Sequence, residues 1–142
     1  MEARARFVFT SRAAVGRAFR RILETSRLIL RPFREEDVDL LAELMANEDF
    51  MRFSLGVYSC KQTAAFLEKI LARQNRALPS QFAVLSRADN RLIGYQLHPN
   101  YWNKSLATEA AQAVRDHAFR DLDLSRVISL IHPENAASRR VP

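Results

Sequence analysis

The residues best placed to do chemistry lie together in the stretch "HPNYWNKSLATEA", His98 to Ala110. It opens as a proline-bounded turn and closes in a run that favours a helix. Asn103, Lys104, Ser105 and Leu106 stand at the junction, where the first amides of a helix lack intrahelical partners. Those N–H groups point outward together, and the helix dipole adds partial positive charge, so the junction suits an anion such as a phosphate. Lys104 adds a mobile cation and Ser105 a hydroxyl donor. A Walker-type phosphate loop is excluded, because "NKS" lacks the preceding glycines and their spacing. The alternative is a plain loop in which Thr108 caps its own helix and Glu109 favours the dipole.

Other reactive side chains are sparse. Candidates for a general base are His98, in a turn before Pro99, together with Glu109 and Glu134. Each also has a plainer reading: a surface histidine, a dipole-compensating carboxylate and a solvated turn residue. His117 falls inside the helical run between charged neighbours and reads as structural. Asn135 and Ser138, three apart in "PENAAS", read first as caps of a following helix. Cys60 is the single cysteine, so the chain has no internal disulfide and no thiolate cluster for a metal.

The surrounding pattern supplies the elements that must hold these groups. "SRLILRPF" (Ser26–Phe33) reads as a strand stopped by Pro32. In the next run Glu35, Glu36 and Asp37 crowd a helix start, and Val38, Leu41, Leu44 and Met45 form one buried stripe. A second helix begins at Ser59, with Gln62 completing a capping box, and its core face is Phe66, Leu67, Ile70 and Leu71. Pro79-Ser80 breaks that pattern. "QFAVLS" (Gln81–Ser86) and "RLIGYQL" (Arg91–Leu97) read as a hairpin around the turn "RADN". A helix from about Thr108 to Leu122 follows, with a small-residue stripe at Ala107, Ala111, Val114, Ala118 and Leu122. "RVISLIH" (Arg126–His132) is an unbroken apolar run of the kind buried on both faces of a sheet. Helices and strands alternate without a clean βαβα rhythm, so the class is α+β, or mixed α/β.

At 142 residues the chain is expected to form one core, and its 48% hydrophobic and 27% charged content is that of a soluble globular domain. No apolar run approaches the ~20 residues that cross a bilayer. The net charge of +6 is concentrated at one end. Residues 1–21 hold six arginines against Glu2 alone, which leaves +1 for everything else. The boundaries read as a basic N-terminal tail over 1–21 and a domain over 22–142. The tail fits a start placed too far upstream, or a mitochondrial transit peptide. A nucleic-acid arm is the weaker reading, since no interleaved aromatics or known module accompany the arginines. The compartment expected is cytoplasmic, or mitochondrial if the tail is a transit peptide.

Four segments in order, "LILRPFREEDVDLL", "RLIGY", "LHPNYWNKSLATEA" and "RVISLIHPENAAS", resemble the GNAT-type N-acetyltransferases. The likeness runs from about Glu24 to Val141 and is nearest the branch that includes enzymes acetylating ribosomal-protein N-termini. It implies a mixed, largely antiparallel sheet splayed as a V and flanked by helices, with acetyl-CoA in the split. It implies that the loop Trp102, Asn103, Lys104, Ser105, Leu106 and Ala107, with Thr108 opening the helix, cradles the coenzyme's pyrophosphate by backbone amides. It further implies that Asn135 and Ser138 approach the pantetheine arm and the thioester sulfur, with the Ser138 hydroxyl protonating the leaving thiolate. Acetyl would pass directly from acetyl-CoA to an amine, expected at a peptide or protein N-terminus.

Three departures from the family pattern bear on activity. The family loop reads Trp-Gly-x-Gly-x-Ala, whereas Asn103 and Ser105 replace both glycines here. "RLIGY" runs straight into "QLHPNYW", where relatives insert a strand and turn. The chain ends at Pro142, before a closing helix and strand, so the sheet is expected to be incomplete at the C-terminus. The alternative to an enzyme is therefore a non-catalytic module that binds coenzyme or protein. Its unfinished sheet edge would invite a homodimer.

Overall fold

The computed structural model describes residues 6–9, 21–76, 81–94, 97 and 99–141. The break at Pro79-Ser80, the site candidate His98 and most of the basic tail lie outside these residues.

Four short strands make the main sheet. β2 (Leu23–Glu24), β3 (Leu28–Pro32), β4 (Phe82–Ser86) and β5 (Leu92–Gly94) are hydrogen-bonded in that order, each pair antiparallel. The β3–β4 register sets Leu30 opposite Val84 and Pro32 opposite Phe82, so one set of side chains faces one way. The alternation expected of a strand is thus used on both faces. Leu28, Leu30, Phe82, Val84 and Ile93 pack against Leu106, Val114 and Ala118 of the long helix α3 (Leu106–Arg120). Ala83, Leu85 and Leu92 face the other way, onto α1 (Val38–Met45) and α2 (Cys60–Asn75). The sheet is sandwiched between two apolar cores, an α+β architecture.

The helices α1 and α2 follow their sequence signals. Leu41, Leu44 and Met45 of α1 are buried, as are Leu67 and Ile70 of α2. Ser59 caps α2 in both directions: its hydroxyl accepts from the Gln62 amide, and the Gln62 side chain accepts from the Ser59 amide at 2.8 Å. A 3-10 turn, Glu35–Asp37, precedes α1. Its acids do more than complement a dipole. Asp37 is buried and takes two bonds of 2.8 Å from the Arg31 guanidinium, plus one from the Arg34 amide. Burial alone would raise the Asp37 carboxyl, but these donors and their charge outweigh it and hold the group below the usual range.

The last strand departs from expectation. β6 (Val127–Leu130) does not sit inside the sheet with both faces covered. It pairs antiparallel with β1 (Arg6–Phe9) in a separate two-stranded ladder, Arg6 opposite Leu130 and Phe9 opposite Val127. Ile128 is 39% exposed and Val127 half-buried, so the faces of this strand are not both covered. β1 belongs to the segment read as a tail. Among the described residues β6 has no hydrogen-bonded strand partner in the main sheet, and every strand pairing is antiparallel.

Candidate functional site

The junction before α3 is a loop held from below and open at its tip. Trp102 closes a 3-10 turn, Pro99–Tyr101, through its amide to the Pro99 carbonyl at 3.0 Å. Its indole N–H donates to the Leu97 carbonyl at 2.8 Å, and the ring packs on the core. Trp102 is therefore the loop's anchor. Asn103, Lys104 and Ser105 are exposed, and the Lys104 ammonium lies 5.6 Å from the Tyr101 ring centroid.

Asn103 and Ser105 both adopt left-handed backbone, at φ 56° and φ 59°. This conformation costs an L-residue about 1–2 kcal/mol, less for asparagine, and glycine takes it freely. The loop thus keeps a backbone shape suited to glycine at the two positions where the resemblance to the N-acetyltransferase loop puts glycine. Such strain persists only where surrounding contacts impose it, and it collects at functional sites.

The helix starts two residues before the expected Thr108. Ser105 is its N-cap residue, and Leu106, Ala107 and Thr108 form the first turn. Serine favours this position because its hydroxyl normally accepts from a first-turn amide, but that needs extended backbone. At φ 59° Ser105 makes no side-chain cap bond. Thr108, set within the first turn, does not cap the helix either. α3 thus lacks the reciprocal side-chain cap seen on α2, and its first-turn amides make no bond to the N-cap side chain. Leu106 turns its side chain into the core, so only its main chain serves the loop.

A second group of residues fixes this loop from the side. Glu109, one turn into α3, meets the turn before β3. Its Oε1 accepts from the hydroxyls of Thr25 and Ser26 and from the Arg27 amide at 3.0 Å. Its Oε2 takes the Arg27 guanidinium at 2.7 and 2.6 Å. The same guanidinium reaches the Lys104 carbonyl at 2.9 Å. Burial would raise the Glu109 carboxyl, but the Thr25 and Arg27 bonds and the Arg27 charge prevail and hold it low. Five donors on one carboxylate leave no free lone pair for a proton, so Glu109 is a tie and not a base. Sequence reasoning missed Thr25, Ser26 and Arg27, because "TSR" reads as an ordinary turn and its partner lies over eighty residues away.

Asn135 and Ser138 are brought together, both fully buried. The Asn135 carbonyl oxygen accepts from the Ser138 amide at 3.0 Å and caps the short helix α4 (Ala136–Arg139). The capping reading of this pair is thus what the geometry displays. The Asn135 amide nitrogen, however, is buried without a partner among the described residues. A buried donor left unmade costs about 1–3 kcal/mol, so it marks a position that suits an incoming acceptor.

Of the remaining candidates, Glu134 is solvent-exposed, and His117 is buried in α3 with Nδ1 2.6 Å from Asp121. Among the described residues no three His, Cys, Asp or Glu side chains converge as metal ligands. No described helix is long and apolar enough to cross a membrane.

Comparison with known proteins agrees with this architecture. The family model for the acetyltransferase (GNAT) domain matches residues 27–142. The uncharacterized N-acetyltransferase YnaD of Bacillus subtilis is 31% identical over 136 residues, covering 84% of this chain and 78% of its own. The crystal structure of a GNAT-family acetyltransferase from Bacillus anthracis superposes with a TM-score of 0.72 at 27% identity, covering 85% of this chain and 80% of that one. A structure described as a putative ribosomal-protein-serine acetyltransferase from Vibrio cholerae shares the fold, with a TM-score of 0.73 at 19% identity over 85% of this chain and 79% of that one.

Proposed function

The chain belongs to the GNAT acetyltransferase family, and from that membership we propose that it transfers the acetyl group of acetyl-CoA to a primary amine, the α-amine of a peptide or protein. The observation that carries this is the loop before α3. Two non-glycine residues hold glycine-like backbone there, beside first-turn amides with no side-chain cap. That arrangement fits a pyrophosphate, with Lys104 supplying a mobile counter-charge. The peptide or protein acceptor rests on the order of the four sequence segments alone.

Acetyl-CoA supplies the thioester carbonyl that a neutral amine attacks, so that an N–C bond forms, the C–S bond breaks and the thiolate needs a proton. We assign the coenzyme contacts to the loop Trp102–Thr108 and to Asn135, whose orphaned amide hydrogens suit a carbonyl of the pantetheine arm. Ser138 is assigned the proton for the thiolate. The proton that the attacking amine loses is assigned to solvent, because Glu109 is committed to its five donors, Glu134 is solvent-exposed and His98 lies outside the described residues.

Calorimetry with CoA and acetyl-CoA tests the binding half. Saturable heat is expected, and its absence at millimolar ligand removes the proposal. Release of free thiol from acetyl-CoA, with a set of N-terminal peptides as acceptors, then tests transfer. Binding without thiol release on any peptide or small amine would leave a coenzyme-binding module, and Ser138→Ala with an unchanged rate would remove the acid role.

A further inference from the structure

The turn before β3 and the loop before α3 meet at one side chain. Arg27 ties Glu109 through Nε and Nη2, and with Nη1 it holds the Lys104 carbonyl at 2.9 Å. The Lys104–Ser105 peptide is planar and trans, so its carbonyl and its N–H point in opposite directions. A carbonyl fixed toward Arg27 turns the Ser105 N–H away from it. Rotating this peptide would change the Lys104 ψ and the Ser105 φ together, which is the easy way for a serine to leave left-handed space. The hold on the carbonyl blocks that rotation.

We propose that Arg27 is a positioning residue for coenzyme binding, acting as a latch that keeps Ser105 left-handed and thereby keeps the loop amides presented in the absence of glycine. Two other observations point the same way. The turn carrying Arg27 is itself braced: the Thr25 hydroxyl accepts from the Leu28 amide at 2.9 Å, and the Arg87 guanidinium donates to the Thr25 carbonyl at 2.8 Å. Glu109 meanwhile orients the guanidinium through both Nε and Nη2, so Nη1 remains for the loop. Lysine could keep the charge toward Glu109 but not the fork that serves both groups.

This inference rests on the reading of the loop as a coenzyme site. Its test is calorimetric titration of the full chain with CoA, beside thermal unfolding, for the wild type, Arg27→Ala, Arg27→Lys, Ser105→Gly and the Arg27→Ala/Ser105→Gly double variant. Removing Arg27 is expected to weaken CoA binding by roughly tenfold and to lower the unfolding temperature. Glycine at 105 takes the left-handed conformation without strain, so the double variant should regain most of the affinity while its unfolding temperature stays below that of the wild type. A purely structural role for Arg27 would not separate these two readouts. Arg27→Lys should fold, keep much of the thermal stability and still bind weakly, which serves if the alanine variant does not fold. Wild-type affinity in Arg27→Ala or Arg27→Lys overturns the latch, as does a double variant no tighter than Arg27→Ala. A wild type that binds no CoA overturns the coenzyme reading itself, a result distinct from either.

Discussion

Ser105 adopts a backbone that serine disfavours, and Asp37 buries a carboxylate that would otherwise stay in water; both are testable singly. At φ 59° a serine costs roughly 1 kcal/mol and a β-branched side chain considerably more. Ser105→Val is expected to lose about 1–2 kcal/mol in urea unfolding and to bind CoA more weakly, whereas Ser105→Gly should be at least as stable as the parent. Equal stability of the two would show that this backbone relaxes easily. Asp37 is 3% exposed and fastened to Arg31 by two bonds, so Asp37→Asn leaves a half-buried guanidinium short of its counter-charge, at about 2–3 kcal/mol near neutral pH. The sign of the pH effect follows from its lowered pKa. The stabilisation is fully present above the unfolded value of about 4 and is lost as pH falls through the lower folded value. Urea midpoints of Asp37→Asn and the parent should therefore lie far apart at pH 7 and draw together in acid. A gap that stays constant with pH would mean that the carboxylate charge is not what holds Arg31.

Helix starts show how differently two serines act at the same kind of position. Ser59 caps α2 with a reciprocal pair of bonds, and Ser59→Ala should cost about 1 kcal/mol. Ser105 stands at the start of α3 but makes no side-chain cap, so Ser105→Ala should cost well under half of that. Denaturant unfolding of the pair measures the difference, and equal losses would contradict the left-handed N-cap. The contrast also marks what a sequence conveys about these elements. The Ser59–Gln62 box, the stripe Leu41–Leu44–Met45 and the alternation of Phe82–Leu85 are local patterns with periods of about 3.6 or 2, and each was legible. The start of α3 reads as Thr108, two residues late, because the residue types in "NKSL" do not by themselves announce left-handed backbone; only the resemblance to a glycine-bearing loop points to it. The Arg27–Glu109 tie was illegible for another reason. It joins side chains over eighty positions apart, and a single sequence carries no signal for such a pairing. Asn135 and Ser138 enter as coenzyme candidates through family resemblance alone, while their cap follows from residue type.

At the scale of the whole molecule, the proposed coenzyme site draws on two sheets that are not hydrogen-bonded to each other among the described residues. The four-stranded sheet carries the loop before α3, and β6 leads into the turn that ends in Asn135. The placement of Asn135 therefore depends on what steadies β6, and the strand bonded to it is β1, drawn from the arginine-rich first 21 residues. In an antiparallel ladder, successive residues of a strand point their N–H groups alternately toward and away from the partner. Phe7 and Val8 stand opposite Ser129 and Ile128, so one of the two must donate to β6 and the other must face outward. Proline has no N–H, and on an edge strand it is tolerated where the donor faced outward. Of Phe7→Pro and Val8→Pro, one should accelerate amide exchange across Val127–Leu130 and weaken CoA binding, while the other changes both far less. Exchange across β3 and β4 should be unaffected in either, because β1 shares no ladder with them. If both substitutions left β6 exchange at its starting rate, β1 would not be its partner, and the arginine-rich segment would lose its part in holding Asn135.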